Sequence, residues 1–119
     1  VKALKDESLM VHEPGSQVRS WCYIDDMSNA LQTILSNNKS EGEVLNIGNP
    51  QATSTTLQTA ETVIRLSDSR SKIEFKELKY PEVNIRVPNV DKAKRVLGFI
   101  PKIGLEEGIR KTIDWYKNK

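Results

Sequence analysis

The spacing of hydrophobic positions along this chain changes repeatedly, and the short apolar runs predict β-strands. Such runs occupy residues 9–12 (LMVH), 20–24 (SWCYI) and 43–47 (EVLNI). Residues 72–78 (KIEFKEL) alternate instead between apolar and polar side chains, which is the pattern of a half-exposed strand. We therefore expect four strands, and we expect the run at 20–24 to be buried.

Helices are predicted where apolar residues recur every three or four positions. From Met27 they recur at i, i+3, i+4, i+7 and i+8, and Asp25 is the expected N-cap of this helix. A second helix is expected to begin at Thr55, which has capping-box spacing to Gln58. A third, short helix is expected at 91–97.

The last predicted helix begins near Gly104 and runs toward the C-terminus. Acidic residues in its first turn and lysines at its end complement the helix dipole. Strands and helices thus alternate, which predicts an α/β fold with too few elements for a complete Rossmann fold. The predicted buried stripe of the last helix consists of Leu105, Ile109, Ile113 and Tyr116.

The composition of the 119 residues favours one small domain, at 1–119, that depends on a larger structure. Only 37% of the residues are hydrophobic, and a domain of this size hides only about two-thirds of its unfolded surface. The first residue is Val1, and VKALKD has the pattern of the last turns of a helix whose start is absent. We therefore expect a fragment of a larger protein.

Charge and apolar patterning argue against nucleic-acid and membrane partners. The 18 basic and 16 acidic residues are interspersed, with a net charge of +2 and no run of five like charges. The sequence has neither a signal peptide nor a long apolar run, so a soluble cytoplasmic protein is expected. Cys22 is the only cysteine, which excludes a disulfide framework and a thiolate metal cluster.

Motifs for catalysis or cofactor binding are missing from the sequence. It has neither a glycine-rich G-x-G-x-x-G loop nor a Walker A loop, and His12 has no partner in a Ser or Cys nucleophile motif. Asp25 and Asp26 could act as acid and base or bind Mg²⁺, but helix capping is the favoured interpretation. Cys22 is interpreted as a small core residue rather than a reactive thiol. We therefore predict no catalytic residue, no cofactor-binding residue and no metal site.

Two arginines are the candidates for ligand contacts. Arg19 leads directly into the predicted buried strand, where a guanidinium could donate two hydrogen bonds to a pyrophosphate. For Arg19 taken alone, an ordinary surface role is the commoner alternative. Arg86 is a lone charge in the apolar stretch NIRVP, between Pro81 and Pro88, and for it both alternatives stay open.

Three segments, in sequence order, resemble motifs of one enzyme family. GSQVRSWCYIDDMSNAL is similar to the G-x-Q-x-R-x-[FW]-x-[YH]-V-x-D-x-x-x-A-L segment of extended short-chain dehydrogenases/reductases that act on nucleotide sugars. EGEVLNIGNP is similar to their G-x-[VY]-x-N-[IL]-G-[NS] segment. Residues 86–117 resemble their ending, D-x-[SD]-K-A-x-x-x-L-G-[WF]-x-P followed by L-E-E-G-[IL]. Within the family, RSWCYIDD and NIGNP look most like UDP-glucuronate decarboxylase, with UDP-glucose 4-epimerase and dTDP-glucose 4,6-dehydratase close behind.

The resemblance implies a small mixed α/β lobe, the C-terminal substrate-binding part of such an enzyme without its Rossmann domain. In the family, the N-terminal Rossmann domain holds NAD and the catalytic residues, so NAD would belong to the parent enzyme and none would be bound by this chain. The smaller lobe would grip the diphosphate of a UDP- or dTDP-linked sugar. The matching substrate-binding positions are Arg19 and Arg86 for the pyrophosphate, Asn46 for the same phosphate site, and His12 and Met10 for the base.

Two functions are compatible with this interpretation. The first is the substrate-binding portion of an NAD-dependent epimerase, dehydratase or decarboxylase that acts through oxidation at the sugar C4, with this chain inactive by itself. The second is a non-catalytic nucleotide-sugar-binding or regulatory module that pairs with a separate Rossmann chain. The net reaction and a homo-oligomeric state stay open in both cases.

Overall fold

A computed structural model describes residues 1–119 and divides the chain into two compact units. The first unit contains Val1–Arg19, Ser54–Arg86 and Glu106–Lys119. The second unit contains Ser20–Thr53 and Val87–Leu105. Each unit is therefore assembled from segments that are distant in the sequence.

Five strands and four α-helices form the regular structure, in agreement with the predicted α/β class. The strands are β1 Leu9–His12, β2 Val18–Ser20, β3 Thr53–Thr55, β4 Ile73–Lys76 and β5 Ile85–Arg86. The helices are α1 Ile24–Leu35, α2 Thr56–Ser67, α3 Asp91–Leu97 and α4 Leu105–Lys117, with single 3-10 turns at Ala3–Lys5 and Asn38–Ser40. None of the helices has the length and apolar character needed to span a lipid bilayer.

Two small sheets organise the first unit. β1 pairs in parallel with β4, which places Val11 opposite Phe75, and α2 packs against β1. β2 pairs in parallel with β5, which places Val18 opposite Ile85, and β3 lies on the other side of β2. Val11 is only 5% exposed, so the inner face of β1 contributes to the core of this unit. The strands predicted at 9–12 and within 72–78 are confirmed.

The turn between β1 and β2 is tied to the start of α2. Gly15 has a φ of 78°, and a Cβ there would lie 3.1 Å from Leu57 Cβ, so only glycine fits without displacing its neighbours. The backbone amide of Leu57 donates to Gly15 O at 3.0 Å. The buried Gln17 side chain donates to Glu13 O at 3.0 Å. These bonds fix the path by which the chain enters β2.

The capping box predicted for α2 is confirmed. The backbone amide of Gln58 donates to Thr55 Oγ1 at 3.0 Å, and the backbone amide of Thr55 donates to Gln58 Oε1 at 3.1 Å. The helix ends at Asp68, whose φ of 55° is left-handed and turns the chain away from the helix axis. Both ends of α2 are therefore set by local signals.

The packing of α1 against α3 forms the core of the second unit. Ala30 and Ala93 are 1% and 0% exposed, and their small side chains let the two helices approach each other closely. Leu97 and Phe99 complete the buried cluster. The partly buried side chains packed around it are Ile34, Leu45, Ile47 and Val96.

A second apolar face of α1 is uncovered. Ile24, Leu31 and Leu35 are 63%, 52% and 89% exposed. Their spacing of seven and four residues places them on one side of the helix, away from the side that carries Ala30. The second unit thus buries only one of the two apolar faces of α1.

The prediction of a buried strand at 20–24 is wrong. β2 ends at Ser20, and α1 already begins at Ile24 with Tyr23 in the N-cap position. Asp25 lies in the first helical turn and is not the N-cap that we expected. A short apolar run does not distinguish a strand from the approach to a helix, because its length is too small to show a helical period.

The prediction of a strand at 43–47 is also wrong. Leu45 and Ile47 pack toward the core and Val44 is 85% exposed, which is the alternation of a strand. No strand of the chain pairs with this segment, and a strand exists only through ladder hydrogen bonds to a neighbour. The residues keep the side-chain pattern of a strand without its pairing.

The last helix, α4, is confirmed, but its buried stripe is narrower than predicted. Ile113 is 8% exposed, whereas Tyr116 is 43% exposed, so the assignment of Tyr116 to the core is wrong. The Tyr116 ring instead packs edge-on against Trp115, with ring centroids 4.8 Å apart. Because a helix buries only what its neighbours cover, the stripe ends before the last turn.

Candidate functional site

The pairing of β2 with β5 brings the two candidate arginines together. Arg19 of β2 and Arg86 of β5 are Cα partners across the parallel ladder. Paired residues of adjacent strands direct their side chains to the same face of a sheet. Two guanidinium groups from distant parts of the sequence therefore share one face of a short sheet in the first unit.

The Arg19 guanidinium is held in place by two hydrogen bonds. Its Nη1 donates to Val18 O at 2.9 Å, and its Nη2 donates to Glu82 Oε1 at 2.6 Å in a salt bridge. The Arg19 side chain is 18% exposed and that of Glu82 is 33% exposed. A guanidinium has five N–H donors, so these two bonds leave further donors for a ligand.

Glu82 is the residue of this cluster that the sequence analysis missed. It is the only acidic residue between Pro81 and Pro88, the segment that also carries Arg86. That isolated carboxylate near a candidate arginine was the available signal. Its partner Arg19 is distant in the sequence, so only the fold reveals the ion pair.

Met10 and His12 occupy alternate positions of β1 and therefore share one face of that strand. Both side chains are exposed, while Val11 between them is buried. The facing positions on β4 are Glu74 and Lys76. Contact of Met10 and His12 with a nucleobase stays a prediction.

Asn46 belongs to the second unit, whereas the other four candidate residues belong to the first. Its Nδ2 donates to Asn89 O at 3.3 Å, and the side chain is exposed. The next turn is crowded, because a Cβ on Gly48 would lie 2.7 Å from Pro88 Cγ. Glycine is required at that position, and it allows the segment of Asn46 to lie close to residue 88.

Cys22 is half-buried in the connection between β2 and α1, and its Sγ lies 3.7 Å from Tyr23 O. Burial raises the pKa of the Cys22 thiol because desolvation disfavours the thiolate, and the nearby Asp26 carboxylate raises it further. A raised pKa is the opposite of what activates a cysteine nucleophile. Cys22 is not part of the strand in which we had placed it.

Comparisons with known proteins connect this arrangement to one group of enzymes. Residues 2–112 match the family model described as GDP-mannose 4,6 dehydratase. The chain is 36% identical over 119 residues to UDP-glucuronic acid decarboxylase 1 of Danio rerio, and the alignment covers 100% of this chain and 28% of that protein. It is 32% identical over 127 aligned positions to dTDP-glucose 4,6-dehydratase of Shigella flexneri, and this alignment covers 98% of this chain and 34% of that protein.

A solved structure has the same fold over the same region. It is UDP-glucuronic acid 4-epimerase from Bacillus cereus in complex with UDP-glucuronic acid and NAD, and it matches this chain with a TM-score of 0.88 at 25% identity. The match covers 98% of this chain and 37% of that one. The chain belongs to this family of NAD-dependent nucleotide-sugar epimerases, dehydratases and decarboxylases.

Family membership confirms the resemblance drawn from the three sequence motifs. The chain corresponds to the C-terminal portion of extended short-chain dehydrogenases/reductases. It spans about a third of the length of its relatives, between 28% and 37% in the three cases above. The fold described here is therefore the fold of that portion of the family.

In this member of the epimerase/dehydratase family, the residues of the segment GSQVRSWCYIDDMSNAL differ in how deeply they are buried. Gln17 and Asp26 are 3% and 4% exposed, and each bonds to backbone groups of its own unit. Their place in the motif is explained by the fold they hold together. Arg19 belongs to the same motif; its side chain is 18% exposed and has more donors than its two bonds use. Its contact with a ligand stays a prediction.

Proposed function

We propose that this chain is the part of a nucleotide-sugar epimerase, dehydratase or decarboxylase that grips the diphosphate of a UDP- or dTDP-linked sugar. The observation that carries the proposal is the pairing of Arg19 with Arg86 across β2 and β5. The sequence predicts both residues as ligand contacts, and they come from different motifs.

Two like charges on directly paired strands destabilise a sheet, and one Glu82 carboxylate offsets only one of the two positive charges. A diphosphate is an anion with several acceptor oxygens, and a guanidinium binds such oxygens through two parallel hydrogen bonds. Arg19 is already oriented by Val18 O and Glu82, so it loses little conformational freedom when a ligand binds. These features support a diphosphate as the ligand of the pair.

The same proposal assigns ligand contacts to the three remaining candidates, Met10, His12 and Asn46. Met10 and His12, on one exposed face of β1, would contact the nucleobase, and the imidazole would stack on it. Asn46 would contribute an amide to the phosphate site, as the family resemblance implies. These assignments follow the family resemblance and are subordinate to the arginine pair.

The proposed reaction is divided between this chain and a Rossmann domain. NAD, bound by that domain, would oxidise the sugar at C4 and later return the hydride. The residues of this chain would bind and orient the nucleotide sugar and would take no part in the hydride transfer. The alternative, a binding or regulatory module with a separate Rossmann chain, requires the same diphosphate contacts.

The proposal is tested by calorimetric titration of UDP into the full-length protein that carries this chain. Arg19→Ala should weaken UDP binding by about 2–4 kcal/mol, the range for loss of a desolvated, charge-assisted contact. Arg19→Lys should restore only part of the affinity, because an ammonium lacks the planar fork. NAD⁺ affinity should stay unchanged in both variants.

Arg70→Ala is the matched control, since Arg70 is also paired with a carboxylate of the first unit, that of Asp6. It removes the same charge from a side chain that is 89% exposed. UDP affinity should be unaffected. An Arg19→Ala protein that binds UDP as well as wild type would end the diphosphate assignment.

A further inference from the structure

The turn between β1 and β2 contains a buried glutamine whose side-chain amide is bonded at both ends. Gln17 is 3% exposed. Its Nε2 donates to Glu13 O at 3.0 Å, and its Oε1 accepts from Thr56 Oγ1 at 3.0 Å. Both partners stabilise the buried amide, because a buried polar group without a partner costs free energy. Thr56 is the first residue of α2, so its hydroxyl joins the start of that helix to the turn.

The Thr56 hydroxyl also contacts the backbone of the turn. Its Oγ1 donates to Gly15 O at 3.0 Å, the same distance as its bond to Gln17 Oε1. A hydroxyl has one proton, so the two acceptors share it in a three-centre bond. One side chain of α2 therefore holds two parts of the turn, and Thr56→Val would keep the shape of this side chain but make neither bond.

The backbone that leads from this turn into β2 is bonded on two sides. Gln17 O accepts from the backbone amide of Thr56 at 3.0 Å, and Val18 N donates to Asn84 O at 2.7 Å. Arg19 follows directly after Val18. We propose that Thr56 is a positioning residue for Arg19: its hydroxyl, acting through Gln17, fixes β2 in the place from which the guanidinium contacts the ligand diphosphate. This inference rests on the proposed function of Arg19.

A small shift of β2 is sufficient to weaken the proposed contact. A guanidinium binds phosphate through two parallel hydrogen bonds, and hydrogen bonds weaken steeply as their angle departs from linearity. Arg19 Nη1 is bonded to Val18 O at 2.9 Å, so the guanidinium moves with the backbone of this strand. Loss of the Thr56 hydroxyl releases the Gln17 side chain, which lies two residues before Arg19. The expected consequence is weaker diphosphate binding by a folded protein.

The experiment removes the hydroxyl and keeps the size of the side chain. In the full-length protein, Thr56→Val should weaken UDP binding, measured by calorimetry, by about three- to ten-fold, the scale of one hydrogen bond. Thr56→Ala removes the same hydroxyl without the second methyl group and should give a loss of similar size. Thr56→Ser keeps the hydroxyl and should restore most of the affinity. Thr62→Val is the matched control, because the Thr62 hydroxyl donates to Gln58 O within α2 at 2.7 Å, and UDP affinity should be unchanged.

Urea unfolding of the same variants distinguishes positioning from a purely structural role. If Thr56 only stabilised the fold, Thr56→Val would lower the free energy of unfolding and leave the UDP affinity of the folded protein unchanged, which overturns the inference. An equal loss of affinity in Thr56→Ser would also overturn it, because the hydroxyl is then not the cause.

A double-mutant cycle with Arg19→Ala tests whether Thr56 acts through this arginine. The effect of Thr56→Val on UDP affinity should disappear once Arg19 is replaced by alanine. An undiminished effect in that background would show that Thr56 acts elsewhere and would overturn the inference. Failure of the proposed function is recognised separately, because Arg19→Ala alone would then leave UDP affinity unchanged.

Discussion

Asp26 links two distant segments of the second unit through a single buried carboxylate. Its Oδ2 accepts from the backbone amide of Ile103 at 2.9 Å, and both oxygens accept from that of Lys102 at 3.1 Å. The residue is 4% exposed, so these bonds form away from water. The paired aspartates considered for acid–base chemistry thus have a structural role at Asp26, which is not the capping role expected from the sequence.

Asp26→Ala should lower the free energy of unfolding by about 2–3 kcal/mol, because it leaves buried backbone donors without their charged acceptor. Asp25→Ala is the matched control. Asp25 is exposed in the first turn of α1 and contributes only its interaction with the helix dipole, about 0.3–1 kcal/mol. Urea unfolding followed by circular dichroism measures both values, and equal effects would contradict the structural role.

The raised pKa of Cys22 predicts a thiol of low reactivity. The thiol should lose its proton at a higher pH in the folded chain than in the urea-unfolded chain, because burial and the Asp26 carboxylate both disfavour the thiolate. At pH 8, the folded chain should therefore react more slowly with iodoacetamide. The measurement is the pH profile of alkylation in the two states, and a lower midpoint in the folded chain would identify a reactive thiol instead.

Among the secondary-structure elements, those with local signals were predicted well. The capping box at Thr55 and the amphipathic pattern of α4 act within a few residues, so the sequence is sufficient to place both helices. The segments at 20–24 and 43–47 have short apolar runs without such signals. Their conformation depends on which neighbours are present, and there the predictions failed.

Ile113 is the buried residue of α4, so it should contribute most to the stability that this helix provides. Ile113→Ala should lower the free energy of unfolding by about 2–4 kcal/mol, the cost of removing a large side chain from a packed core. Tyr116→Ala serves as the comparison, since Tyr116 is 43% exposed and should cost clearly less. Thermal and urea unfolding provide the values. If Tyr116→Ala lowered the free energy of unfolding more than Ile113→Ala, Tyr116 would belong to the core, as the sequence predicted.

For the molecule as a whole, each unit combines segments that are separated in the sequence. The first unit joins three segments and the second joins two. The face of α1 that carries Ile24, Leu31 and Leu35 is exposed, and no strand pairs with residues 43–47 of the second unit. These features agree with the proposal that the chain functions together with a Rossmann domain.

The chain by itself should bind no NAD⁺, because its sequence has no glycine-rich dinucleotide loop. Calorimetry with the isolated chain and with the protein that includes a Rossmann domain tests this expectation, and binding should occur only in the second case. Micromolar NAD⁺ binding to the isolated chain would contradict it. Tight UDP-sugar binding by the isolated chain, without turnover in either form, would favour the non-catalytic module.

The sequence by itself determined the family, the α/β class, most of the helices and the two candidate arginines, because motifs and helical periods are local in the chain. Only the tertiary structure decided that Arg19 is paired with Arg86 across β2 and β5 and bonds to Glu82, since these residues lie far apart in the sequence. It also decided that Asp26 is buried against the backbone at 102–103. Burial and charge pairing depend on neighbours supplied by the fold, and a linear pattern does not specify those neighbours.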